Sequence, residues 1–359
     1  MYSLPDIGWT HFFQQQLTED DNDLKPARVA TLSRGIFRLL TERGERTASL
    51  SGRLGYESEH LIDLPVVGDW VLARISSDSA VIERVLKRRT KLSRIAPSDQ
   101  QRLTEEQALA TNVDVVFLVT SLTREFNPRR IERYLTQVWE SGARPFLVLN
   151  KIDLVESPLD YAKQVEDMAD GLVLTSAATG SGVDEIRREL RPGLTVVFVG
   201  SSGVGKSSLI NRLLNDDVQT VYDIRGGDDK GRHTTTAREM LLVPGGGVII
   251  DTPGLRQLQV LADPSALGKT FSDVEGIAEE CAFSDCTHTA EPNCAVIAAV
   301  EAGELDDGRR RGYQKLQSDL AFADRRRDRA AQLAEKKKRK TISKTNRRRD
   351  KQRGRGRYR

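Results

Sequence analysis

The sequence predicts a multidomain protein in which a small β-barrel, a central α/β domain and a C-terminal helical metal-binding domain follow one another. Three observations carry this prediction. Short β-rich stretches separated by Gly, Asp and Ser turns fill residues 27–92. Continuous apolar runs alternate with amphipathic stretches from Val113 to about residue 260. All three cysteines fall between residues 281 and 294, which indicates a metal site and excludes a disulfide framework.

The N-terminal region divides into an acidic arm and a barrel. Residues 1–26 are mixed in composition, and we expect a loose arm. Over residues 27–96, five stretches with strand composition predict an OB-fold-like barrel, a fold that can bind RNA. The stretches are RVATL, GIFRLL, RTASLSG, DWVLARI and AVIERVL. The last one runs into a basic segment that favours either RNA contact or a solvated strand end. Its cations are Arg84, Lys87, Arg88, Arg89, Lys91 and Arg94.

Residues 97–262 predict a doubly wound α/β domain. Its strands are expected to be apolar throughout because a parallel sheet is covered on both faces. The five runs are DVVFLVT, RPFLVLN, GLVLTSA, TVVFVG and GVIID. Between the first two runs, apolar residues recur at the spacing of one helix face. They are Ile131, Tyr134, Leu135, Val138 and Trp139.

A phosphate-binding loop follows the fourth run. TVVFVG leads into G-x-x-x-x-G-K-[ST], and SSLINRLLN continues with helical periodicity, so the motif has its required strand–loop–helix context. Backbone N–H groups of such a loop point at phosphate oxygens. Lys206 is expected to reach the β- and γ-phosphates as a catalytic residue, and Ser207 to ligate Mg²⁺. The predicted nucleotide-binding residues here are Gly200, Ser201, Ser202, Gly203, Val204, Gly205, Lys206, Ser207 and Ser208.

Two further segments are predicted to sense the γ-phosphate. Asp251 ends the strand GVIID, where a carboxylate suits Mg²⁺ coordination, and the Gly254 N–H in the DTPG turn can meet the γ-phosphate. The 17-residue polar loop 222–238 is too long for a simple connection and predicts either a nucleotide-sensing switch or a flexible surface loop. Within it, Thr235 is the favoured third Mg²⁺ ligand, beside Ser207 and Asp251.

The segment 150–153 predicts guanine specificity. The Asp153 carboxylate can accept hydrogen bonds from guanine N1–H and N2–H₂, a pair that adenine lacks. Asn150 is expected to read the base edge and hold the loop, and the stem of Lys151 to cover the ring. Ser176 and Ala177, after the strand GLVLTSA, are expected to place a backbone N–H near guanine O6.

Together, NKID, TSA, GSSGVGKS, GRHTTT and DTPG resemble the five GTPase motifs in the order four, five, one, two, three, which is the hallmark of circularly permuted GTPases. With the barrel before them and the Cys/His cluster after them, residues 27–320 are similar to the ribosome small-subunit-dependent GTPase A family. The resemblance implies an OB-fold, a permuted GTPase domain and a zinc domain. It also implies GTP hydrolysis stimulated by the small (30S) ribosomal subunit during its late maturation, with GTP, GDP and rRNA as ligands.

The motifs alone do not identify the residue that positions the attacking water. Position 255, after DTPG, is Leu, whose aliphatic side chain cannot orient water as the Gln of many GTPases does. The resemblance points to His233, which precedes the switch threonines, as a catalytic residue. The alternative is that His233 is an exposed loop histidine.

The Cys/His cluster predicts one structural zinc ion. Three thiolates and one imidazole give a closed tetrahedral shell without an open catalytic position. The ligands are Cys281, Cys286, His288 and Cys294 within a predicted helical domain, residues 263–324. Three merely buried cysteines are the alternative.

The charge distribution separates a tail from the body. Residues 325–359 carry 18 Lys and Arg against 3 Asp and Glu, whereas the rest of the chain carries 37 against 49. So basic and apolar-poor a tail predicts disorder until it meets a polyanion, with RNA favoured over a purely solubilising role. No apolar run approaches a membrane span and the N-terminus does not resemble a secretory signal, so we expect a cytoplasmic protein, working as a monomer.

Two other functions compete with the GTPase reading. An RNA-binding scaffold would use the nucleotide only as a structural ligand, and Leu255 is compatible with that. A P-loop small-molecule kinase is disfavoured because NKID and TSA are devoted to the base and no acceptor pocket or lid is recognisable.

Overall fold

The computed structural model describes residues 2–95, 106–123, 126–215, 238–244, 246–251, 264–322 and 325. Its N-terminal part contains a closed barrel, which confirms all five predicted strands. The strands are β1 (Lys25–Ser33), β2 (Ile36–Thr41), β3 (Gly44–Leu50), β4 (Trp70–Ile75) and β5 (Ser79–Val85). Closure arises because β1 pairs with both β2 and β4, and the parallel pair β3–β5 completes the circle. A short helix, α2 (Gly52–Glu57), joins β3 to β4 and is capped by the Ser51 hydroxyl.

The N-terminal segment 2–24 is packed, so the predicted loose arm is wrong. Around its short helix α1 (His11–Gln14), the arm buries Leu4, Ile7 and Phe13. The Phe13 ring lies 5.8 Å from the ring of Trp70 at the start of β4. The sequence signal is the apolar content of this otherwise polar segment, which burial against the barrel stabilises.

A buried arginine joins the arm, the barrel and the central domain. The guanidinium of Arg28 in β1 donates to the backbone oxygens of Ile7, Gly68 and Asn112. Desolvation lowers its pKa to about 10. Three carbonyl partners offset the cost of burying a cation.

The central domain is a parallel sheet with one antiparallel edge strand. The parallel strands are β8 (Val115–Ser121), β9 (Arg144–Asn150), β10 (Leu172–Thr175), β11 (Thr195–Val199) and β13 (Val248–Asp251). Their spatial order is β10-β9-β8-β11-β13, followed by antiparallel β12 (Arg238–Leu242). All five predicted buried strands are therefore confirmed.

Helices cover both faces of this sheet, as doubly wound folds require. Val116 and Leu118 of β8 face the side of α3 (Pro128–Ser141), whereas Phe117 faces the side of α5 (Val183–Glu189) and α6 (Lys206–Asn215). The predicted apolar stripe of α3 is confirmed. The short helix α4 (Pro158–Ala162) lies on the α3 side.

Three strands escape the sequence analysis. β6 (Lys91–Ile95) and β7 (Glu106–Thr111) form a separate hairpin after the barrel. β12 pairs with β13 on one side and with barrel strand β1 on the other, so the sheet of the central domain continues into the barrel.

The C-terminal part is helical, as predicted. Its helices are α7 (Pro264–Thr270), α8 (Ser272–Ala278), α9 (Ala295–Glu301) and α10 (307–322). An ion-pair network fastens them to α3: the Arg309 guanidinium contacts Glu132 of α3 at 2.9 Å and Asp273 of α8 at 2.8 Å. Burial raises the pKa of Glu132 despite the two arginines, Arg129 and Arg309, that lower it.

Among the helices of the described segments, none combines the length and the apolarity that crossing a lipid bilayer would need.

Candidate nucleotide site and Cys/His cluster

The predicted phosphate loop lies where the strand order reverses. β8 connects onward to β9 on one side, while β11 lies on the other side of β8, so a crevice opens at their carboxyl ends. This is the position at which doubly wound sheets bind ligands. Gly200 and Gly205 adopt φ values of +141° and +101°, which favour glycine. A Cβ at Gly200 would lie 2.1 Å from the Val119 carbonyl oxygen, and one at Gly205 would lie 2.2 Å from Asn150 Nδ2.

The side chain of Lys206 folds over this loop. Its Nζ donates to the carbonyl oxygens of Gly200 at 2.8 Å and Ser201 at 2.7 Å. Lys206 and Ser207 open helix α6, so the backbone N–H groups of its first turn face the crevice. A cation and a helix N-terminus in one loop can neutralise a polyphosphate.

Asn150 joins three of the predicted motifs. At the end of β9 and 1% exposed, it donates from Nδ2 to the Val204 carbonyl oxygen of the phosphate loop at 2.7 Å. Its Oδ1 accepts from the Ala177 backbone N–H at 3.0 Å and from the Thr175 hydroxyl at 3.2 Å. Of the two backbone N–H groups predicted as candidates for guanine O6, that of Ala177 thus donates to Asn150, and that of Ser176 donates to the Ser181 carbonyl oxygen. Segments 150–153, 175–177 and 200–207 therefore meet at one edge of the sheet.

The predicted base-reading residues lie next to one another. The Ser176 hydroxyl donates to Asp153 Oδ1, which fixes that carboxylate beside the segment 175–177. Lys151 adopts a left-handed backbone conformation with φ of 66° between Asn150 and Asp153.

Arg212 is a site residue that sequence reasoning missed. From α6, its Nε and Nη2 donate to the carbonyl oxygens of Ala177 and Ala178, each at 2.5 Å. It thereby ties the base-side loop to the phosphate-loop helix. No local pattern marks this arginine, because its partners are backbone atoms 34 and 35 residues away.

Asp251 lies at the end of β13, on the same edge. Desolvation raises the pKa of its carboxyl, the charge of Glu239 raises it further, and the nearby Lys206 lowers it. Ser207 and Asp251 thus lie on neighbouring elements, as a shared cation would require. The oxygens of a hydroxyl and a carboxylate suit Mg²⁺.

Four residues and nearly all of two segments singled out in the sequence lie outside the described residues. The residues are His233, Thr235, Gly254 and Leu255, and the segments are the polar loop 222–238 and the basic tail 325–359, of which only Arg238 and Arg325 are described.

The four predicted zinc ligands come together. Their ligand atoms all lie within 4.8 Å of one another. Cys281 Sγ lies 3.8 Å from Cys294 Sγ and 3.6 Å from His288 Nδ1, and Cys294 Sγ lies 3.4 Å from the same nitrogen. Tetrahedral ligation at the usual zinc bond lengths separates two sulfurs by about 3.8 Å, and a sulfur and a nitrogen by about 3.5 Å. The donor set therefore fits zinc.

The pKa values of the cluster residues are shifted in different directions. Burial lowers the pKa of His288, which favours the neutral imidazole that a metal needs. Desolvation and the neighbouring thiols raise the pKa of Cys286 to about 11. Desolvation also acts on Cys281, but hydrogen bonds from the backbone at Val296 and Ala295 bring its pKa below the usual value.

Several cations of the basic segment at the end of the barrel form ion pairs within the chain. Arg88 pairs with the buried Asp69 at 2.7 Å, Arg89 with Asp114, and Lys91 with Glu106 at 2.8 Å. These ion pairs fasten the barrel and the hairpin β6–β7. These three cations of the segment are therefore paired with carboxylates of the same chain.

Comparison with known proteins matches this architecture. The family model described as RsgA GTPase matches residues 85–261, and that described as 50S ribosome-binding GTPase matches residues 195–330.

Similar proteins extend over nearly the whole chain. A protein named small ribosomal subunit biogenesis GTPase RsgA from Opitutus terrae is 45% identical, over 98% of this chain and 99% of its own. Its namesake from Syntrophotalea carbinolica is 42% identical over 95% and 96%. RsgA 2 of Lactiplantibacillus plantarum is 43% identical over 88% of each chain.

Two solved structures share the fold. YjeQ from Thermotoga maritima aligns with a TM-score of 0.62 and 28% identity, covering 83% of this chain and 99% of its own. YloQ, described as a circularly permuted GTPase, aligns with a TM-score of 0.61 and 25% identity, covering 85% and 98%.

Proposed function

The chain belongs to the RsgA family of circularly permuted GTPases, and we propose that it hydrolyses GTP as an assembly factor in small ribosomal subunit biogenesis. It is a GTPase. The observation that carries the assignment of the site is Asn150, which hydrogen-bonds to both Val204 and Ala177. Through it, segments far apart in the chain meet at one sheet edge, in the order that a permuted GTPase has.

The nucleotide occupies the crevice beside Asn150. Asp153 accepts from the guanine edge, Lys151 covers the ring, and Ser176 with Ala177 forms the base-side wall. Residues 200–208 enclose the phosphates, with Lys206 leaving its carbonyl partners for the β- and γ-oxygens. Gly254 contacts the γ-phosphate.

Ser207, Asp251 and Thr235 hold Mg²⁺. When bound, the ion would neutralise part of the negative charge of the triphosphate. Lys206 and the backbone amides of the phosphate loop stabilise the same developing charge. His233 orients the attacking water, since Leu255 has no polar group for that role.

The zinc ion is structural. Cys281, Cys286, His288 and Cys294 leave no open position for a substrate, and they hold the loops between α8 and α9. The metal therefore stabilises the helical region 263–324 and takes no part in hydrolysis.

The remaining regions bind the particle. The barrel, residues 27–96, has the strand order of an OB-fold and contacts rRNA together with the basic tail 325–359. The permuted GTPase domain comprises residues 97–262. A role on assembling subunits places the protein in the cytoplasm, and it binds as a monomer.

One assay tests the whole proposal. We expect GTP hydrolysis to exceed ATP hydrolysis and to rise when purified small subunits are added, because the proposed activity serves the assembly of that particle. Guanine nucleotide binding without stimulation by the particle would favour an RNA-binding scaffold. Phosphoryl transfer to a small molecule, in place of water, would favour a kinase.

A further inference from the structure

Four residues form one row across the seam between the barrel and the central sheet. In the register of these strands, Arg38 of β2 lies opposite Thr31 of β1, which lies opposite Glu239 of β12. Glu239 in turn lies opposite Asp251 of β13. Residues directly opposite in antiparallel strands project on the same face, so all four side chains share one face of the sheet. The row leads from the barrel to the proposed Mg²⁺ carboxylate.

Charges link the ends of this row. Arg38 Nη2 lies 2.8 Å from Glu239 Oε1, and its Nη1 lies 3.3 Å from Glu45 Oε2. The Arg38 side chain is 44% exposed and that of Glu239 is 24% exposed. Glu239 and Asp251 lie directly opposite each other on one face of the sheet, and the side chains of such a pair start about 5 Å apart, so the charge of Glu239 acts on Asp251. Arg38 therefore neutralises the Glu239 carboxylate, which lies next to Asp251, the proposed Mg²⁺ ligand.

The strand that carries Glu239 is held from a second side as well. Arg238 Nη1 donates to the Ala108 carbonyl oxygen of β7 at 3.3 Å. The first two residues of β12 are thus fastened to the hairpin and to the barrel. Glu239 consequently keeps its place between Arg38 and Asp251.

We propose that Arg38 is a positioning residue for the Mg²⁺–nucleotide site, acting through Glu239 from outside the GTPase domain. The inference rests on the proposed function. Arg38 holds and neutralises Glu239, which otherwise adds negative charge beside Asp251.

The test measures the Mg²⁺ concentration that half-saturates binding of a fluorescent GTP analogue to the full chain. Arg38→Gln is expected to lower this concentration about threefold, since Glu239 loses the cation that neutralises it and then adds negative charge beside Asp251. Glu239→Gln is expected to raise it about fivefold. In the double variant, Arg38→Gln should have no further effect, because its action passes through Glu239. Arg38→Lys, which keeps the charge, should behave as the unmodified chain.

A matched control is Arg74→Gln, which removes another partly exposed ion pair of the barrel, with Glu83, outside the row. It should leave the Mg²⁺ dependence unchanged, and all variants should keep the melting temperature of the parent. The proposal that Arg38 acts through Glu239 would be overturned if Arg38→Gln changed the half-saturating Mg²⁺ concentration equally with and without Glu239. It would also be overturned if Arg38→Gln had no effect on that concentration. If the unmodified chain shows no Mg²⁺-dependent binding of the guanine nucleotide, the proposed function itself fails.

Discussion

At the scale of single residues, Asn150 and Asp153 lie three positions apart and have different roles. Asn150 is buried, and its amide hydrogen-bonds to the backbone of Val204 and Ala177, so it holds the segments of the site together. Asp153 is exposed and turns one oxygen to the Ser176 hydroxyl, so its carboxylate remains at the surface of the crevice. The sequence predicted both residues because each motif has a chemical reason. Arg212 was beyond prediction because its partners are backbone carbonyls of a distant loop.

Asp153→Asn should exchange the base preference of the site. The amide cannot accept both guanine N–H donors, so we expect GTP affinity to fall about 100-fold, which is the loss of two hydrogen bonds to a charged group. The new N–H₂ can donate to the 2-oxo group of xanthine, so XTP should bind more tightly than GTP. Competition between the two nucleotides measures this. Asp160→Asn, an exposed change on α4, should leave both affinities as they were, and an unaltered preference in Asp153→Asn would remove the residue from the base site.

At the scale of elements, the predicted strands and helices were those whose apolar pattern is local. β8 to β11 and α3 bury whole runs or whole faces, so their periodicity is sufficient. β12 was missed because it is a short strand whose register depends on two partners, β1 and β13. The N-terminal arm was misread because its few apolar residues find their core only on the folded barrel. Tertiary pairing, which no local window contains, decides such segments.

The junction of α3 with the C-terminal helices should depend on one arginine. Arg309→Ala removes a contact to the buried Glu132, a pair of bonds to Asp273 and a bond to the Thr270 carbonyl. We expect a loss of about 2 to 3 kcal/mol in the free energy of unfolding, since a buried carboxylate loses a partner. Urea denaturation followed by circular dichroism measures it. Arg311→Ala, whose side chain is 72% exposed, should cost less than about 0.5 kcal/mol. Equal losses in the two variants would show that the network does not hold this junction.

At the scale of the whole molecule, the Cys/His cluster and the candidate nucleotide site lie in different parts of one chain. The four ligands lie between α8 and α9, in the helical region that the Arg309 network joins to α3. Cys294→Ser, or chelation of the metal, should therefore loosen α8 to α10 while the affinity for GDP stays within about twofold. Amide hydrogen exchange, read segment by segment, distinguishes the regions. Faster exchange spread evenly over the chain would mean that the cluster supports the whole fold instead.

The charge asymmetry of the molecule predicts that the basic tail, residues 325–359, contributes to particle binding and not to nucleotide binding. With 18 Lys and Arg in residues 325–359, deletion of this segment should weaken binding to small subunits and flatten the dependence of the binding constant on salt concentration. Each phosphate contact that is lost lowers the slope by about one unit, so a tail that lies along rRNA should account for several units. Nucleotide affinity should not change, because the proposed site lies within residues 150 to 254. Titration of labelled subunits at several salt concentrations measures the slope. If the truncated chain keeps the slope of the full chain, the cations that meet the particle belong to the folded body.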